Sequence, residues 1–438
     1  MRTVDIIERK RDGAELSREE IEHLVMGYVR GDVPDYQVSA WLMAVCCRGM
    51  SQRETFDLTA VMASSGETLD LSGVGWPVAD KHSSGGVGDK TTLIVAPLVR
   101  ARGVAVAKMS GRGLGFTGGT LDKLESIPGF RVDMRPTQFL QQLSREGIVV
   151  SGQTPDLAPA DRLLYALRDV TGTVASVPLI ASSIMSKKLA VGAGALVLDV
   201  KVGSGALMTG LAEARELARL MVEIGAAAGK RISALLSSMD QPLGCAVGNA
   251  LEVVEAIQTL RGEGPADLVE LSTLLAGEML FLADAAESLE AGQRLALEAL
   301  ASGRALEVFE RWVEAQGGDP RIVGSPGLID QAPFREIVES PRAGWVQGVD
   351  ARKIAAASLL LGAGRARKGD PIDRRVGVVL RAKGGAEVQK GQPLAEIHAA
   401  DAAVARKAAA DVLEAFTLGA APAVPVATVL ERLGPDGL

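Results

Sequence analysis

Residues Asp80 to Thr92 read DKHSSGGVGDKTT, placing two lysines, a histidine, four hydroxyl side chains and three glycines within thirteen residues. Hydroxyl and ammonium donors would each need a partner in an apolar core. Glycines expose backbone N–H groups that can approach a ligand closely, because no Cβ stands in the way. The stretch is expected to be a loop that holds something polar. From Lys81 to Glu125 seven basic residues (Lys81, Lys90, Arg100, Arg102, Lys108, Arg112, Lys123) stand against three acids (Asp89, Asp122, Glu125), a local excess of +4. On a chain of formal net charge −7, that confined patch points to a small anion, and the overall balance argues against nucleic acid.

Two phosphate-loop templates can be tested here. A Walker loop requires GxxxxGK[ST]; alignment on Lys90 and Thr91 puts Ser84 and Asp89 at the glycine positions, so it fails. Gly113 to Gly118, GLGFTG, matches GxGxxG after the strand-like VAVAKM. Only TLDKLES separates it from Ile127-Pro128-Gly129, too short for the helix of a dinucleotide-binding βαβ unit. The remaining reading places both glycine loops around one phosphate. Gly85, Gly86 and Gly88 free backbone N–H groups, Ser83 and Thr92 offer hydroxyls, and Lys81 and Lys108 offer charge. Thr120 opens a helix whose positive end suits an anion.

The elements that position these groups are legible in outline. Ser17 with Glu20 and Ser51 with Glu54 are capping boxes, with Leu16 and Ile21 as a staple. Ile21, Leu24, Val25 and Tyr28 make one apolar helical face, and Pro34 precedes a helix carrying Val38, Trp41, Leu42 and Val45. After SSGETLDLSGVGW, short β-rich runs (VAVAKM, GIVV, ALVLDV, SALLSS) alternate with helical ones such as EARELARLMVEIG. That alternation predicts an α/β unit with a mostly parallel, mixed sheet. Near residue 340 the pattern becomes short strands joined by Gly and Pro turns, a small β-rich α+β unit.

Length and composition set bounds. The 438 residues allow two or three compact units at roughly 150 per domain. No apolar run reaches the roughly 18 residues of a membrane span, and the charged start MRTVDIIERKRDG does not match a signal peptide. Cys46, Cys47 and Cys245 offer neither a disulfide framework nor zinc spacing, which fits a reducing cytoplasm.

Four longer segments carry a family resemblance: DKHSSGGVGDKTT, KMSGRGLGFTGGTLDKLESIPGF, GQTPDLAPADRLLYALRDVTGTV and PLIASSIMSKKLA. Together with VDIIERKRDG, DVKVGSGA, MDQPLGCAVGNALEVVEAI and LGAGRARKGDPID, they resemble the pyrimidine-nucleoside phosphorylases of the thymidine phosphorylase group over nearly the whole chain. The resemblance implies an all-helical domain made of residues 1–65 and 162–194, and an α/β domain made of 66–161 and 195–340. A C-terminal β-rich domain would follow over 341–438. It further implies a homodimer with substrate in the cleft, and reversible phosphorolysis of uridine, thymidine or deoxyuridine to free base and pentose 1-phosphate in pyrimidine salvage. Inorganic phosphate would be the co-substrate, with no organic cofactor. A strict thymidine phosphorylase and an anthranilate-type phosphoribosyltransferase are the alternatives.

By family motif, phosphate falls to Lys81, Ser83, Thr92, Lys108, Ser110 and Thr120, and the base to Arg168, Ser183 and Lys187. Read alone, Arg168 beside Asp169 is a helix-surface ion pair and Lys187 beside Lys188 a solvated charge run. His82 is either a proton donor to the departing base or a donor that orients the loop. The resemblance also implies a potassium site from backbone oxygens at Gly88, Leu243 and Ala246 and the Glu255 carboxylate. Relatives commonly have Thr where this chain has Lys90. An ammonium cannot ligate a cation, so Lys90 replaces the ion by pairing with Glu255, turns outward and leaves its backbone oxygen as a ligand, or is a solvated loop lysine with no link to Glu255. AEVQKGQPLAEIH resembles half of a biotinyl- or lipoyl-carrier fold, but no lysine follows before Lys407, which argues against a carrier.

Overall fold

A computed structural model describes residues 1–113, 118–152, 156–365, 367 and 369–434. Four helices come first: α1 (Thr3–Arg11), α2 (Arg18–Arg30), α3 (Asp35–Arg48) and α4 (Gln52–Ala63). Both expected capping boxes form, each with its Ser side chain on the N3 N–H and its Glu side chain on the N-cap N–H. Glu54 also accepts Lys10 Nζ and Leu16 N, at 2.8 and 2.9 Å, so one carboxylate joins three parts of this unit. Ile21, Leu24, Val25, Val38, Trp41, Leu42 and Val45 are buried as their spacing predicts.

The chain then alternates through β1 (Val78–Ser83), α5 (Thr91–Arg100), β2 (Ala105–Ser110), α6 (Thr120–Leu124), α7 (Pro136–Glu146) and β3 (Ile148–Gly152). Next come α8 (Pro159–Thr171), α9 (Val177–Val191), β4 (Ala195–Val202), α10 (Leu211–Ala227) and β5 (Arg231–Ser238). β4 is buried at every position, as befits a parallel strand covered on both faces. Ala160 and Leu164 of α8 and Leu179 of α9 join the apolar core of α1 to α4, so these two helices return to the N-terminal unit. α9 also packs against α10 and β2, which makes it the bridge between the two units.

β6 (Ala246–Val247), α11 (Asn249–Leu260), α12 (Ala266–Leu282), α13 (Leu289–Ala301) and α14 (Arg304–Ala315) follow. The remainder is β7 (Phe334–Glu339), β8 (Gly344–Val349), α15 (Ala351–Leu361), β9 (Gly377–Leu380), β10 (Glu387–Val388), β11 (Pro393–Ala399), α16 (Ala402–Glu414), β12 (Phe416–Gly419) and β13 (Val429–Leu433). The central sheet has the order β13-β5-β4-β1-β2-β3, parallel throughout except for the antiparallel β13–β5 pair. Two small sheets, β10-β8-β12 and β6-β9-β11-β7, complete the structure. Among the described residues no helix is long and apolar enough to cross a membrane.

The loop expected over Asp80 to Thr92 is shorter than its composition suggested. Asp80 to Ser83 pair in register with Leu196 to Asp199 and so finish β1, while Thr91 and Thr92 begin α5. Ladder pairing carries the strand through polar residues because distant charged groups satisfy their side chains. The GLGFTG reading falls on Leu114 to Thr117, outside the described residues.

Candidate active site

β1 lies between β4 and β2, the point at which successive strands switch from one side of the sheet to the other. Ligands of open α/β sheets bind beyond the strand C-termini at such a point. Lys81, His82 and Ser83 end β1 there, and Lys108 and Ser110 end the neighbouring β2. Lys108 Nζ donates to the Lys81 carbonyl, which fixes the two strand ends side by side.

Alternation along β1 sends successive side chains to opposite faces. Asp80 shares the face of His82 and accepts Lys188 Nζ of α9 at 2.9 Å; Lys188 also donates to Met109 O at 3.2 Å. Lys81 points the other way, donating to Thr91 Oγ1 at the start of α5 and pairing with Asp199 Oδ2 at 3.2 Å. One strand thus serves both units: its even residues face the helical unit and its odd residues face the phosphate-type loop. Ser83 Oγ accepts Gly85 N at 3.2 Å, Thr92 is buried in the first turn of α5, and Ser110 and Thr120 are half-buried. Lys123 Nζ donates to Asp89 O at 2.7 Å, so α6 is fastened to the first glycine loop.

The electrostatics of this crevice are dominated by buried lysines. Burial and the neighbouring Lys188, Lys108, Lys187 and Lys81 push His82 well below the usual imidazole range, so it is neutral at pH 7. Burial, with Lys188 close by, lowers Lys108 to about 7. Burial alone would raise Asp89, yet Lys81, Lys201 and Lys123 hold it well below the carboxylate range.

The base-side residues behave differently from their isolated readings. Arg168 is 3% exposed and donates to the carbonyls of Thr173, Val174 and Leu179 at 3.1, 2.8 and 2.9 Å. Its guanidinium holds the α8–α9 turn instead of a surface pair. Lys187 is paired with Asp161 and donates to Ser183 Oγ at 3.1 Å, so it is no solvated charge. Ser183 Oγ is the acceptor of that bond.

Sequence reasoning missed Asp80, Asp89, Asp161, Lys188, Asp199 and Lys201, which fix the orientation of the predicted set. Lys201 pairs with Asp199 at 2.8 Å, and Ser237 Oγ donates to the same carboxylate at 2.6 Å. Two opposite charges inside the apolar run LVLDVKV were the available signal. The local excess of +4 is largely offset in space, because Asp199 meets Lys81 and Glu252 meets Lys123 at 3.0 Å.

The cation-type site is filled from within. Lys90, fully buried, donates through Nζ to Ala246 O at 2.8 Å and Leu243 O at 3.1 Å and pairs with Glu255. Burial would lower its pKa, but Glu255 and Glu252 hold it above the ordinary lysine value, so it stays charged. Gly88 O accepts Lys90 N, and Lys90 O accepts Leu93 N, both at 2.9 Å. Gly88 has φ +73°, and a Cβ there would lie 2.6 Å from Leu243 O. Two carbonyls and a carboxylate converge where a monovalent cation would sit, and an ammonium occupies that point. The residues present do not fit potassium with Lys90 turned inward.

Three family models match successive parts of the chain: "Glycosyl transferase family, helical bundle domain" over residues 4–66, "Glycosyl transferase family, a/b domain" over 75–306, and "Pyrimidine nucleoside phosphorylase C-terminal domain" over 345–419. Helical bundle, α/β sheet and crevice together define a glycosyl transferase enzyme. The chain is 52% identical over 398 residues to a pyrimidine-nucleoside phosphorylase of Geobacillus stearothermophilus, spanning 91% of this chain and 92% of that protein. It is 53% identical over 399 residues to the pyrimidine-nucleoside phosphorylase of Bacillus subtilis, with the same coverage of each. The chain belongs to the pyrimidine-nucleoside phosphorylase family. An anthranilate phosphoribosyltransferase from Thermus thermophilus shares the fold, with a TM-score of 0.59 at 23% identity over 71% of this chain and 99% of that one.

Proposed function

We propose that this enzyme cleaves pyrimidine nucleosides with inorganic phosphate, and that the crevice at the end of β1 holds both substrates. The alternation along β1 carries the reading, since it turns Lys81 toward the start of α5 and turns Asp80, on the same face as His82, toward Lys188 of α9. In phosphorolysis a phosphate oxygen forms a bond to C1′ as the bond from C1′ to the base nitrogen breaks. The electron pair stays on the base and spreads to its carbonyl oxygens. Lys81, Lys108, Ser83, Thr92, Ser110 and Thr120 hold the phosphate. Lys187, Ser183 and the remaining Arg168 N–H groups meet the growing charge on the base. His82, neutral before substrates arrive, gains proton affinity once the dianion offsets the surrounding lysines, takes up a proton from solvent, and passes it to the departing base. Most of the rate enhancement is positioning and electrostatic stabilisation.

Incubation with uridine and phosphate, without added metal, should release uracil and ribose 1-phosphate; absence of both products would overturn the reading. Uridine and thymidine are both taken as substrates, which a comparison of kcat/KM values checks. The domain division given above is retained except that β13 joins the central sheet through β5, and β6 and β7 join the small sheet of β9 and β11; the protein is assigned to cytoplasmic pyrimidine salvage. It is also taken as a homodimer joined through Val4, Tyr36, Met43, Tyr165 and Val170, exposed apolar residues on the adjoining α1, α3 and α8. A single-chain mass by light scattering would exclude that assembly.

The pKa of Lys108 gives a pH test. Its charged form binds the dianion, and in the free enzyme that form is lost as pH rises through about 7. Lys108→Arg keeps its charge throughout. The ratio of wild-type to Lys108→Arg kcat/KM for phosphate should therefore fall across that pH, with the ionisation of phosphate cancelled. A constant ratio would remove Lys108 from the phosphate site.

Lys90 is proposed to replace potassium. The wild-type enzyme should show the same activity and melting temperature in sodium and potassium buffers, whereas Lys90→Thr should be stabilised and activated by potassium. Potassium stimulation of the unmutated protein would refute the replacement.

A further inference from the structure

The segment after α15 reaches back to the second glycine loop. Gly113 N donates to Asp122 Oδ2 at 2.7 Å, tying Gly113 to α6. Gly119 packs against the same bond: a Cβ there would lie 2.0 Å from Gly113 N and 2.7 Å from Asp122 Oδ2. Arg365 grips the same carboxylate with both arms, NH1 to Oδ2 and NH2 to Oδ1, each at 2.8 Å, and reaches Gly113 O at 3.3 Å. The side chains of this pair are 12% and 3% exposed. Three residues past Asp122, Glu125 accepts Arg374 at 2.6 Å and Arg112 at 2.8 Å. Between them Lys123 pairs with Glu252 of α11 at 3.0 Å. The start of the segment is held in turn, since Asn249 Nδ2 donates to Ala363 O at 2.8 Å and Asp373 N to Gly362 O at 2.9 Å.

We propose that Arg365 is a positioning residue for the phosphate half of the site, and that the C-terminal unit serves the reaction through this grip. The inference rests on the assignment of Ser110 and Thr120 to phosphate. Ser110 lies three residues before Gly113, which Asp122 holds, and Thr120 two residues before Asp122, so moving Asp122 moves both hydroxyls relative to Lys81 and Lys108. A buried ion pair repays little more than its desolvation, and its best-attested use is to fix one arrangement among several. The fork geometry suits that use, because two parallel hydrogen bonds set the orientation of the carboxylate as well as its position. Arg365 touches no substrate in this account; it acts through Asp122.

The test compares Arg365→Lys and Arg365→Gln with wild type. Lysine keeps Asp122 paired but loses the fork. Arg365→Lys should therefore melt close to wild type, yet raise KM for phosphate on the order of tenfold and leave KM for uridine within about twofold. Arg365→Gln should show the same split, more strongly and with a lower melting temperature. The rise in melting temperature that added phosphate produces should shrink in both variants, a readout independent of turnover. A wild-type KM for phosphate in Arg365→Lys, or equal rises in both KM values, would overturn the inference. Failure of the wild-type enzyme to phosphorolyse uridine would instead refute the functional reading on which it rests.

Discussion

Lys187→Ala is expected to lower kcat/KM for the nucleoside roughly 150-fold, about 3 kcal/mol, the loss typical of removing one preorganised donor from a water-poor site. The ammonium is held ready by Asp161 and Ser183 Oγ, so it need not reorganise as charge develops on the base. The substitution also strands the Asp161 carboxylate, which is only 4% exposed, and the melting temperature should fall with it. Lys187→Ala combined with Asp161→Asn separates the two effects. The second change removes the orphaned charge and should recover much of the stability while kcat/KM stays low. Recovery of activity together with stability would make Lys187 a structural residue. A near-wild-type single variant would dismiss its catalytic role altogether.

Lys81→Ala is the second large effect. KM for phosphate should rise about 30- to 150-fold, some 2 to 3 kcal/mol for a truncated partner of a desolvated charge contact. KM for uridine should change less than about threefold, because the side chain lies on the face of β1 away from α9. The structure also indicates that the variant will fold. Asp199 keeps Lys201 at 2.8 Å and the Ser237 hydroxyl at 2.6 Å, so no bare carboxylate is left in the sheet. Comparable losses for both substrates would contradict the assignment of Lys81 to phosphate.

Lys81 and Lys187 mark how far the sequence alone could be read. Lys81 was singled out from its glycine-rich stretch, whereas Lys187 read alone was a solvated charge and only the family motif singled it out. Their partners come from elsewhere in the chain: Asp199 from β4 and Asp161 from α8. No local pattern ties a lysine to an acid on another strand or helix. The charge excess around the glycine loops was therefore real along the chain and mostly offset in space. Arg168 shows the same limit in reverse, since its neighbour Asp169 suggested a surface pair while three carbonyls beyond the helix end take its donors.

By itself the sequence determined what depends on neighbours within a few residues. Capping boxes at Ser17 and Ser51, the buried stripe of α2, and the apolar β-rich runs all follow from side chains that meet within one turn or alternate along one strand. It also marked the two glycine-rich stretches and the donors they carry. Tertiary structure decided which strands became neighbours. β13, from the last residues of the chain, pairs with β5. α8 and α9 bury Leu164 and Leu179 in the core of the first four helices. The Lys90 ammonium fills a cage whose oxygens lie more than 150 residues away. Such contacts join segments far apart in the chain by burying apolar faces and pairing buried charges, and local spacing marks which face is buried but not what it is buried against.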